Sequence, residues 1–188
     1  MPINAQLLDN PKSDRVRRIA DLTRTKGRRK SGRFLIEGPQ SVREAIRYAS
    51  DVITDIYVAG DEDGIDSDVL ADIAQRAIDA STDLYVHTAT REVIDHISPD
   101  AQGIIAVGET DKLRAGMDAK VENATGRPKG MRVAAFWQVR DPGNAGTVIR
   151  AADAAGCDVV VFVDDCVDML NPKVIRSTTG SLFHIPVI

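Results

Sequence analysis

The sequence has few aromatic residues and almost no cysteine. Aromatic side chains make up 4% of its 188 residues, and the two cysteines, Cys157 and Cys166, show no metal-ligand spacing. We therefore expect reduced thiols, no bound metal and little stacking of nucleic-acid bases on aromatic rings. No hydrophobic run reaches the roughly 20 residues of a membrane helix. The N-terminus lacks the basic-then-apolar pattern of an export signal, so the sequence predicts a cytoplasmic protein.

The order of apolar segments predicts an α/β fold, and a hydrophobic content of 43% is enough for a packed core. Strand-like runs at 34–36, 53–58, 84–86 and 104–107 alternate with helical periodicity at 40–49, 67–80 and 90–97. Residues 1–12 are expected to be a flexible lead-in, followed by a helix over 14–25 that Ser13 caps. His87 and His96 lie apart from any nucleophile pattern, so no role is predicted for them.

Charge is distributed unevenly along the chain. Residues 1–50 contain twelve Lys/Arg and five Asp/Glu, residues 51–111 contain two and fifteen, and residues 112–188 contain ten and eight. The net charges of these parts are therefore +7, −13 and +2, which give the overall value of −4. A basic segment on an acidic protein is expected of a chain that presents one face to a polyanion.

The basic segment predicts contact with nucleic acid. Ten cations against two acids lie within 12–33, on the predicted helix and on a predicted loop over 26–33. We expect these cations to bind phosphates, and the candidate RNA-binding residues are Arg17, Arg28, Arg29, Lys30 and Arg33. Phe34 is the one aromatic residue nearby, so contact with the backbone or shape of RNA is expected rather than base stacking. The alternative is that the charge serves only solubility.

A break in hydrophobic periodicity divides the chain. Residues 109–131 are rich in glycine and mixed charges and contain a proline, which is typical of an interdomain linker. We therefore predict a small RNA-binding α/β domain over 14–108 and a second domain over 132–188.

The second domain begins with a strand–turn–helix–strand pattern. The segment 141–156, DPGNAGTVIRAADAAG, lies between the apolar runs 133–137 and 159–163. Its first residues are typical of a polar turn, because Pro, Gly and Asn favour bends. The pattern predicts a βαβ unit with a parallel pair of strands and with its polar groups at the carboxyl end of the first strand.

The helix of this unit is expected to begin at Thr147 and to end at Gly156. Its inward stripe is predicted to consist of Val148, Ala151, Ala152 and Ala155. Arg150 follows Asn144 by six residues and would point back toward the turn, since side chains lean to the helix N-terminus. Asn144 and Arg150 are therefore the candidate catalytic residues.

The closing stretch is expected to hold one more helix and a terminal strand. Pro172 suits a first helical position, with Asn171 as its cap. A hydroxyl-rich turn containing Ser177, Thr178 and Gly180 follows, before the apolar residues that close the sequence.

Two segments resemble the signatures of one enzyme family. DPGNAGTVIRAADAAG resembles the first signature of the SpoU (TrmH) branch of the SPOUT RNA methyltransferases, and NPKVIRSTTGSLFHIPV, 171–187, resembles the second. RFLIEGPQSVREAI, 33–46, and QGIIAV, 102–107, are similar to the opening and the final strand of the substrate-binding domain found in these enzymes. The resemblance covers most of residues 14–188 and matches the order of the two domains.

The resemblance implies a reaction and an assembly. The reaction is transfer of a methyl group from S-adenosylmethionine to a ribose 2′-hydroxyl of RNA. The assembly is a homodimer whose catalytic domain contains a trefoil knot, a rare exception to the rule that chains do not thread. Ribosomal RNA is favoured over transfer RNA, because Phe183 stands before His184 where the transfer RNA subgroup commonly has Glu.

The resemblance also assigns roles within the second signature. Arg176, Ser177 and Thr178 are expected to bind RNA or to shape the dimer face. Gly180 is the candidate for contact with the cofactor, whose other ligands the sequence does not identify. No metal is expected, since the sulfonium methyl group is already activated and the enzyme has mainly to align the nucleophile.

Arg150 is the residue expected to carry the reaction. In the family the matching arginine is assigned the activation of the hydroxyl, but a guanidinium keeps its proton to a pKa above ~12 and is a poor base. We expect Arg150 instead to bind the neighbouring phosphate and to stabilise alkoxide charge as it develops, with the phosphate taking the proton. Asn144 would hold Arg150 or the ribose by hydrogen bonds. The alternative for Arg150 is a salt bridge on the helix surface.

The third signature of the family is not found in this sequence. In the family it supplies most of the cofactor pocket, so we expect a fragment of a longer enzyme, with a natural truncation as the alternative, that by itself binds S-adenosylmethionine poorly and is inactive. The alternative function is a non-catalytic RNA-binding module. A nucleotide-binding oxidoreductase would need GxGxxG at the first turn, where this sequence has GNAG.

Overall fold

The computed structural model describes residues 3–81, 83–126 and 130–188, and its α/β class confirms the fold class predicted from the sequence. The strands are β1 (Ile3–Leu8), β2 (Arg33–Glu37), β3 (Ile53–Ala59), β4 (Tyr85–Ala89), β5 (Ile104–Glu109), β6 (Val133–Trp137) and β7 (Val159–Val163). The helices are α1 (Asp14–Ala20), α2 (Thr25–Ser31), α3 (Pro39–Ala49), α4 (Asp68–Ala80), α5 (Arg91–Ile97), α6 (Thr110–Thr125), α7 (Pro142–Ala154), α8 (Pro172–Ser177) and α9 (Ser181–His184). Short 3-10 turns lie at Asp21–Thr23 and Ser50–Val52.

The first five strands form one mixed sheet in the order β1-β4-β3-β5-β2. β1, β4 and β3 are parallel, whereas β5 runs antiparallel to both of its neighbours, β3 and β2. β5 is buried on both faces, and Ile104, Ile105 and Ala106 are inaccessible to solvent. A strand that is covered on both faces needs apolar residues at every position, which is why this one was recognisable as a continuous apolar run.

The predicted flexible lead-in over 1–12 is wrong for the residues of β1. β1 pairs with β4, and the carbonyl of Leu8 accepts a hydrogen bond from the Thr90 amide at 2.9 Å. The pairing partner is some 80 residues away in the sequence, and the stretch itself has only a weak alternation of polar and apolar residues. Its strand conformation is therefore set by the sheet edge rather than by local propensity.

The single helix predicted over 14–25 is in fact two helices separated by a 3-10 turn. Ser13 caps α1 as predicted, since its Oγ accepts the Val16 amide at 3.4 Å. Extended backbone at Arg24 ends the turn, and α2 then fills most of the predicted loop over 26–33. α2 ends at Gly32, whose φ of 65° is the left-handed conformation that favours glycine. Most cations of the basic segment are therefore held on two helices.

The predicted linker over 109–131 contains the 16-residue helix α6. Leu113 and Met117 are one turn apart and buried, and Ala124 is buried two turns further on. This stripe has few members among many polar residues, which is why the sequence shows a break in hydrophobic periodicity here. The domain boundaries 14–108 and 132–188 remain predictions.

The predicted βαβ unit is present in the second half. β6 and β7 are parallel and in register from Val133↔Val159 to Trp137↔Val163, and α7 connects them. α7 begins at Pro142, five residues before the predicted start, because the Asp141 carboxylate caps it by accepting the Asn144 amide at 2.8 Å.

The inward face of α7 differs from the prediction. Its buried residues are Ala145, Gly146, Ile149 and Ala152, whereas Ala151 and Ala155 are exposed and Val148 is only partly buried. The face is rotated because Gly146 lies directly against α8, which fixes the side of α7 that turns inward. The helix ends just before Gly156, as predicted, and Gly156 has a φ of 68°.

The last 18 residues form two short helices instead of one helix and a strand. Asn171 caps α8 as predicted, its Oδ1 accepting the Lys173 amide at 3.0 Å. α9 follows α8, and the predicted terminal strand is reduced to a parallel bridge between Val187 and Val160, with backbone hydrogen bonds that join Pro186 and Ile188 to β7.

The two halves of the chain share one core. α8 packs against β2, α9 packs against α3, and the buried apolar residues form a single cluster from Val16 to Val187. The corner around α7 is thereby fixed relative to the sheet of the first half. No helix within the described ranges is both long and apolar enough to span a membrane.

Candidate functional site

The first signature places Asn144 and Arg150 on the solvent side of α7. Both side chains are exposed, and in the part of the chain that the structure describes neither one takes part in a hydrogen bond or an ion pair. The expected hydrogen bond between Asn144 and Arg150 is therefore absent from this structure, as is the alternative of a surface salt bridge. Both polar groups are open to a ligand.

Arg150 lines a shallow cleft of about 530 Å³ between α7 and the start of α9. The other residues of its wall are Thr147, Ala151, Asp153, Ala154 and Ser181. The cleft offers a hydroxyl, a carboxylate and a guanidinium within two turns of α7, which is a donor and acceptor set suited to a ribose and its phosphate.

α7 and α8 pack so closely that there is no room for a side chain at Gly146. A Cβ at Gly146 would lie 1.9 Å from Ser177 Oγ, and that hydroxyl makes hydrogen bonds to the carbonyls of Pro142 and Val174 at 2.9 and 2.8 Å. Thr178 is fully buried, and its Oγ1 donates to the Ile175 carbonyl at 2.7 Å. Both hydroxyls are used inside the fold in this structure, so the RNA or dimer contacts expected of Ser177 and Thr178 stay predictions without support from their hydrogen bonds.

Arg176 reaches back to the first half of the chain. Its Nη1 donates to Glu37 Oε1 at 2.5 Å and lies 2.7 Å from Asp100 Oδ2. Glu37 is buried and also accepts a hydrogen bond from Ser98 Oγ at 2.5 Å. Arg176 is thus paired with two carboxylates in this structure, and its expected contact with RNA or with the dimer face stays a prediction.

The turn after α8 is closed by α3. Gly180 has a φ of 109°, and a Cβ there would lie 2.4 Å from Glu44 Cγ. The imidazole of His184 lies between two carboxylates, with Nε2 2.9 Å from Glu44 Oε2 and Nδ1 2.9 Å from Asp153 Oδ2. The predicted cofactor contact of Gly180 is therefore not supported, since Glu44 fills the space beside it.

Lys120 of α6 contacts α9 beside His184. Its Nζ donates to the carbonyls of Phe183 and His184 at 2.7 and 3.3 Å. Burial lowers the pKa of Lys120, and the charges of Asp153 and Asp51 oppose that effect. The helix predicted to be a linker thus anchors α9.

The basic segment divides into cations that are used internally and cations that are free. Arg28 is buried, donates to the carbonyls of Leu22 and Thr23 at 3.0 and 3.1 Å, and forms an ion pair with Asp168 at 2.6 Å. The prediction that Arg28 binds RNA is therefore wrong, because its donors are occupied. Arg17 is exposed and forms an ion pair with Asp14.

Arg29, Lys30 and Arg33 are exposed and have no ion-pair partner within the described ranges, as the prediction for them requires. Lys30 and Arg33 line a cleft of about 610 Å³, together with Arg15, Arg18, Asp21 and Asp55 among its charged residues. Arg15 and Arg18 belong to the ten cations expected to bind phosphates but were not among the named candidates, and Asp55 was not predicted to belong to the site. The cleft is a candidate nucleic-acid interface.

Arg15 is held at the floor of this cleft by three residues from two strands. Its Nε donates to Tyr57 Oη at 3.1 Å, and its Nη2 lies 3.4 Å from Asp55 Oδ1 and 2.7 Å from His87 Nε2. His87 Nε2 is also 2.9 Å from Asp55 Oδ1, while the buried Nδ1 has no partner in the described part of the chain. The tautomer of His87 therefore decides which of these contacts are hydrogen bonds.

The two acids of this cluster have shifted pKa values. Burial raises the pKa of Tyr57 to about 12, and the charge of Asp55 adds to that effect. Burial also disfavours the Asp55 carboxylate, but hydrogen bonds from His87 and Thr54 together with the charge of Arg15 outweigh it and lower the pKa of Asp55. Asp55 is therefore ionised and Tyr57 protonated at neutral pH.

A signal for this cluster exists in the sequence of β3. Asp55 and Tyr57 alternate with apolar residues, which places both on one face of the strand, and His87 is in register with Tyr57 on β4. The register could not be known without the fold. Within the described ranges, no group of three or more His, Cys, Asp or Glu residues is arranged to hold a metal ion.

Two family models match the chain. The model of the SpoU rRNA Methylase family matches residues 131–188, and that of the MRM3-like substrate binding domain matches residues 13–106. The 23S rRNA (guanosine(2553)-2'-O)-methyltransferase RlmP of Bacillus subtilis is 34% identical over 183 residues, which are 96% of this chain and 64% of that protein. The mitochondrial rRNA methyltransferase 3 of Xenopus tropicalis is 50% identical over 50 residues, 27% of this chain and 12% of that protein.

Solved structures show the same fold. An AdoMet-bound rRNA methyltransferase from Sinorhizobium meliloti superposes with a TM-score of 0.73 at 25% identity, covering 100% of this chain and 64% of that one. The SpoU methyltransferase AviRb from Streptomyces viridochromogenes, at 20% identity, has a TM-score of 0.73 over 94% of this chain and 63% of that one. The chain thus spans just under two thirds of the length of the Bacillus, Sinorhizobium and Streptomyces proteins. With both signatures matched and the substrate-binding domain in front of them, it belongs to the SpoU family of RNA methyltransferases.

Proposed function

We propose that the protein transfers the methyl group of S-adenosylmethionine to a ribose 2′-hydroxyl of ribosomal RNA. The observation that carries the proposal is Arg150, an exposed guanidinium in a cleft on the helix of the first signature, with no ion-pair partner among the residues that the structure describes. The relatives support the substrate, since the Bacillus and Xenopus proteins are named as ribosomal RNA methyltransferases. The Sinorhizobium neighbour supports the donor, because it was solved with AdoMet bound.

Arg150 acts in this proposal as a fixed positive charge. A guanidinium stays protonated at any working pH, so it cannot take the hydroxyl proton. It can bind the phosphate beside the reacting ribose and stabilise negative charge on the 2′-oxygen as the proton leaves. Asn144 lies one and a half turns earlier on α7 and is free to orient the ribose by hydrogen bonds.

The chain's own part in the reaction is to position RNA. S-adenosylmethionine supplies an already activated methyl group, so alignment of the nucleophile is the main task left to the protein. The Gly180 turn does not fit a cofactor site, because Glu44 fills the space beside it. The residues of α7 are therefore assigned to the ribose and its phosphate.

The first half of the chain is proposed to hold the RNA. Arg29, Lys30 and Arg33 project from α2 and the start of β2 without ion-pair partners in the described part of the chain, and residues 13–106 match a substrate-binding domain. We propose a domain over 14–108 for RNA binding and one over 132–188 for catalysis. A cytoplasmic homodimer completes the proposal.

Labelled methyl transfer to ribosomal RNA tests the role of Arg150 in the longer enzyme of which this chain is expected to be a fragment, because the 188-residue chain alone is expected to be inactive. We expect Arg150→Ala to lower the rate by about 10²-fold or more, the size of effect seen when one charge-stabilising donor is removed. Arg114→Ala is the matched control, since Arg114 is exposed on α6 outside the site. Undiminished transfer by Arg150→Ala would remove that residue from the mechanism, and RNA binding without any transfer by the unaltered protein would favour a non-catalytic RNA-binding module.

A further inference from the structure

The cleft of the basic segment is concave and partly apolar. Its volume of about 610 Å³ lies within the range of ~300–1,000 Å³ that is usual for pockets that enclose small ligands. Arg18, Lys30 and Arg33 supply positive charge to its wall, while Leu22 and Val107 supply apolar surface. A duplex backbone needs only a basic surface, whereas a cleft with apolar walls has room for a base.

Arg15 provides a planar group at the floor of this cleft. Its contacts with Tyr57, Asp55 and His87 hold the guanidinium from one side, and its central carbon lies 5.2 Å from the centre of the Tyr57 ring. The Tyr57 ring is itself stacked on His87, with 4.9 Å between the ring centres. Even so, 39% of the Arg15 side chain remains exposed. The guanidinium is therefore held in place by its polar contacts, and the partly exposed side chain lines the cleft.

The charged residues of the cleft fall into a paired arginine and a group of unpaired cations within the described ranges. The Asp55 carboxylate balances the charge of Arg15, so the main thing that Arg15 offers a ligand is its flat face. Arg18, Lys30 and Arg33 have no ion-pair partner within the described ranges, so their full charge is available to phosphate. The flat guanidinium of Arg15 suits the base of a nucleotide, and the cations around it suit its phosphates.

We propose that this cleft binds one unpaired nucleotide of single-stranded RNA. The base stacks on the Arg15 guanidinium, and Arg18, Lys30 and Arg33 bind the phosphates on either side of it. Bases that are free of a duplex are the ones that stack on arginine planes, because a paired base is already covered on both faces. The proposal rests on the proposed RNA-binding function and departs from the sequence-based expectation of backbone contact alone.

Fluorescence anisotropy with three RNA probes tests the proposal on the full chain. The probes are a single-stranded oligonucleotide, the same strand annealed to its complement, and a strand of equal length with abasic sugars. We expect the single strand to bind at least about fivefold more tightly than the abasic strand, since one stacked base contributes about that factor or more. The duplex is expected to bind more weakly than the single strand, because its bases cannot enter the cleft.

Arg15→Lys separates stacking from charge. Lysine keeps the positive charge but lacks the plane, so affinity for the single strand should fall to the level of the abasic strand, while affinity for the abasic strand stays the same. Tyr57→Phe removes one of the bonds that orient Arg15 and should reduce the preference only in part. Lys30→Ala and Lys26→Ala form a matched pair on α2, since only Lys30 lines the cleft, and Lys30→Ala should weaken both strands more.

Two results would overturn the nucleotide site. One is equal affinity for the single and abasic strands, and the other is an unchanged preference in Arg15→Lys with a circular dichroism spectrum like that of the unaltered protein. Either would leave RNA binding by the basic segment intact. Failure of all three probes to bind would instead overturn the RNA-binding function on which the proposal rests, so the two failures are distinguishable.

Discussion

Arg28 of α2 and Asp168, which precedes α8, form an ion pair between residues 140 positions apart in the sequence. The Nη2 and Nε of Arg28 lie 2.6 and 3.2 Å from Asp168 Oδ2, and its Nη1 donates to the carbonyls of Leu22 and Thr23. The arginine is 4% exposed. One guanidinium thus closes the end of the 3-10 turn and ties the basic segment to the loop before α8.

Arg28→Met is expected to lower the free energy of unfolding by about 2–4 kcal/mol. The change removes a charge-assisted pair and leaves two carbonyls without their donors. The Asp168 side chain is 35% exposed and can be hydrated, which keeps the loss below that of a fully buried pair. Urea denaturation measures the difference, with Arg29→Met as the control that should change stability by only ~0.5 kcal/mol. Equal effects of the two substitutions would contradict an internal role for Arg28.

Gly146→Ala is expected to destabilise the protein by about 1–3 kcal/mol or more. The new methyl group would lie 2.5 Å from the Ser177 backbone carbon, so α7 and α8 would have to separate. Gly116→Ala on α6 is the matched control, because no atom lies within 4 Å of its Cβ position. In that open helical site the same substitution should stabilise by about 0.5–1 kcal/mol. Thermal denaturation of the two variants should therefore show shifts of opposite sign.

Local signals in the sequence were enough to find several elements. Ser13 and Asn171 cap helices where predicted, since a short polar side chain before a helical pattern satisfies the first free amides. The same logic was available at α7, where Asp141 and Pro142 form a cap followed by a first-turn proline. Because these residues were interpreted as a turn, the predicted start of the helix was five residues too late. The sequence did contain the signal for the correct start.

The functional roles of the cations could not be predicted from local sequence. Arg28 and Arg29 are neighbours of identical chemistry, yet one is buried against Asp168 and the other is exposed. The difference depends on a partner in the second half of the chain. Arg15 and Tyr57 meet for the same reason, since their contact requires α1 to lie across β3. Long-range packing decided which charges remain free for a ligand.

Above pH 10 the free energy of unfolding of the unaltered protein should fall more steeply than that of the Tyr57→Phe variant. The folded-state pKa of Tyr57 is raised to about 12 from 10.0, so its contribution is complete below pH 10 and disappears as pH rises through about 12. The difference between the two proteins should reach about 2–3 kcal/mol across that window. Urea denaturation at a series of pH values measures it, and comparison with the variant cancels the titration of lysines. Parallel profiles would contradict the raised pKa.

The salt dependence of RNA binding should separate the free cations from the internal one. Each phosphate contact with a single strand contributes about 0.7 to the slope of log affinity against log salt concentration. Lys30→Ala and Arg33→Ala should therefore each reduce the magnitude of the slope by roughly that amount, since both side chains are exposed and unpaired in the described part of the chain. Arg28→Met should leave the slope unchanged, because the donors of Arg28 are bound to Asp168 and to backbone carbonyls. Circular dichroism would first establish that this variant is folded under the assay conditions. A slope that falls as much in Arg28→Met as in Lys30→Ala would show that Arg28 leaves its internal partners when RNA binds.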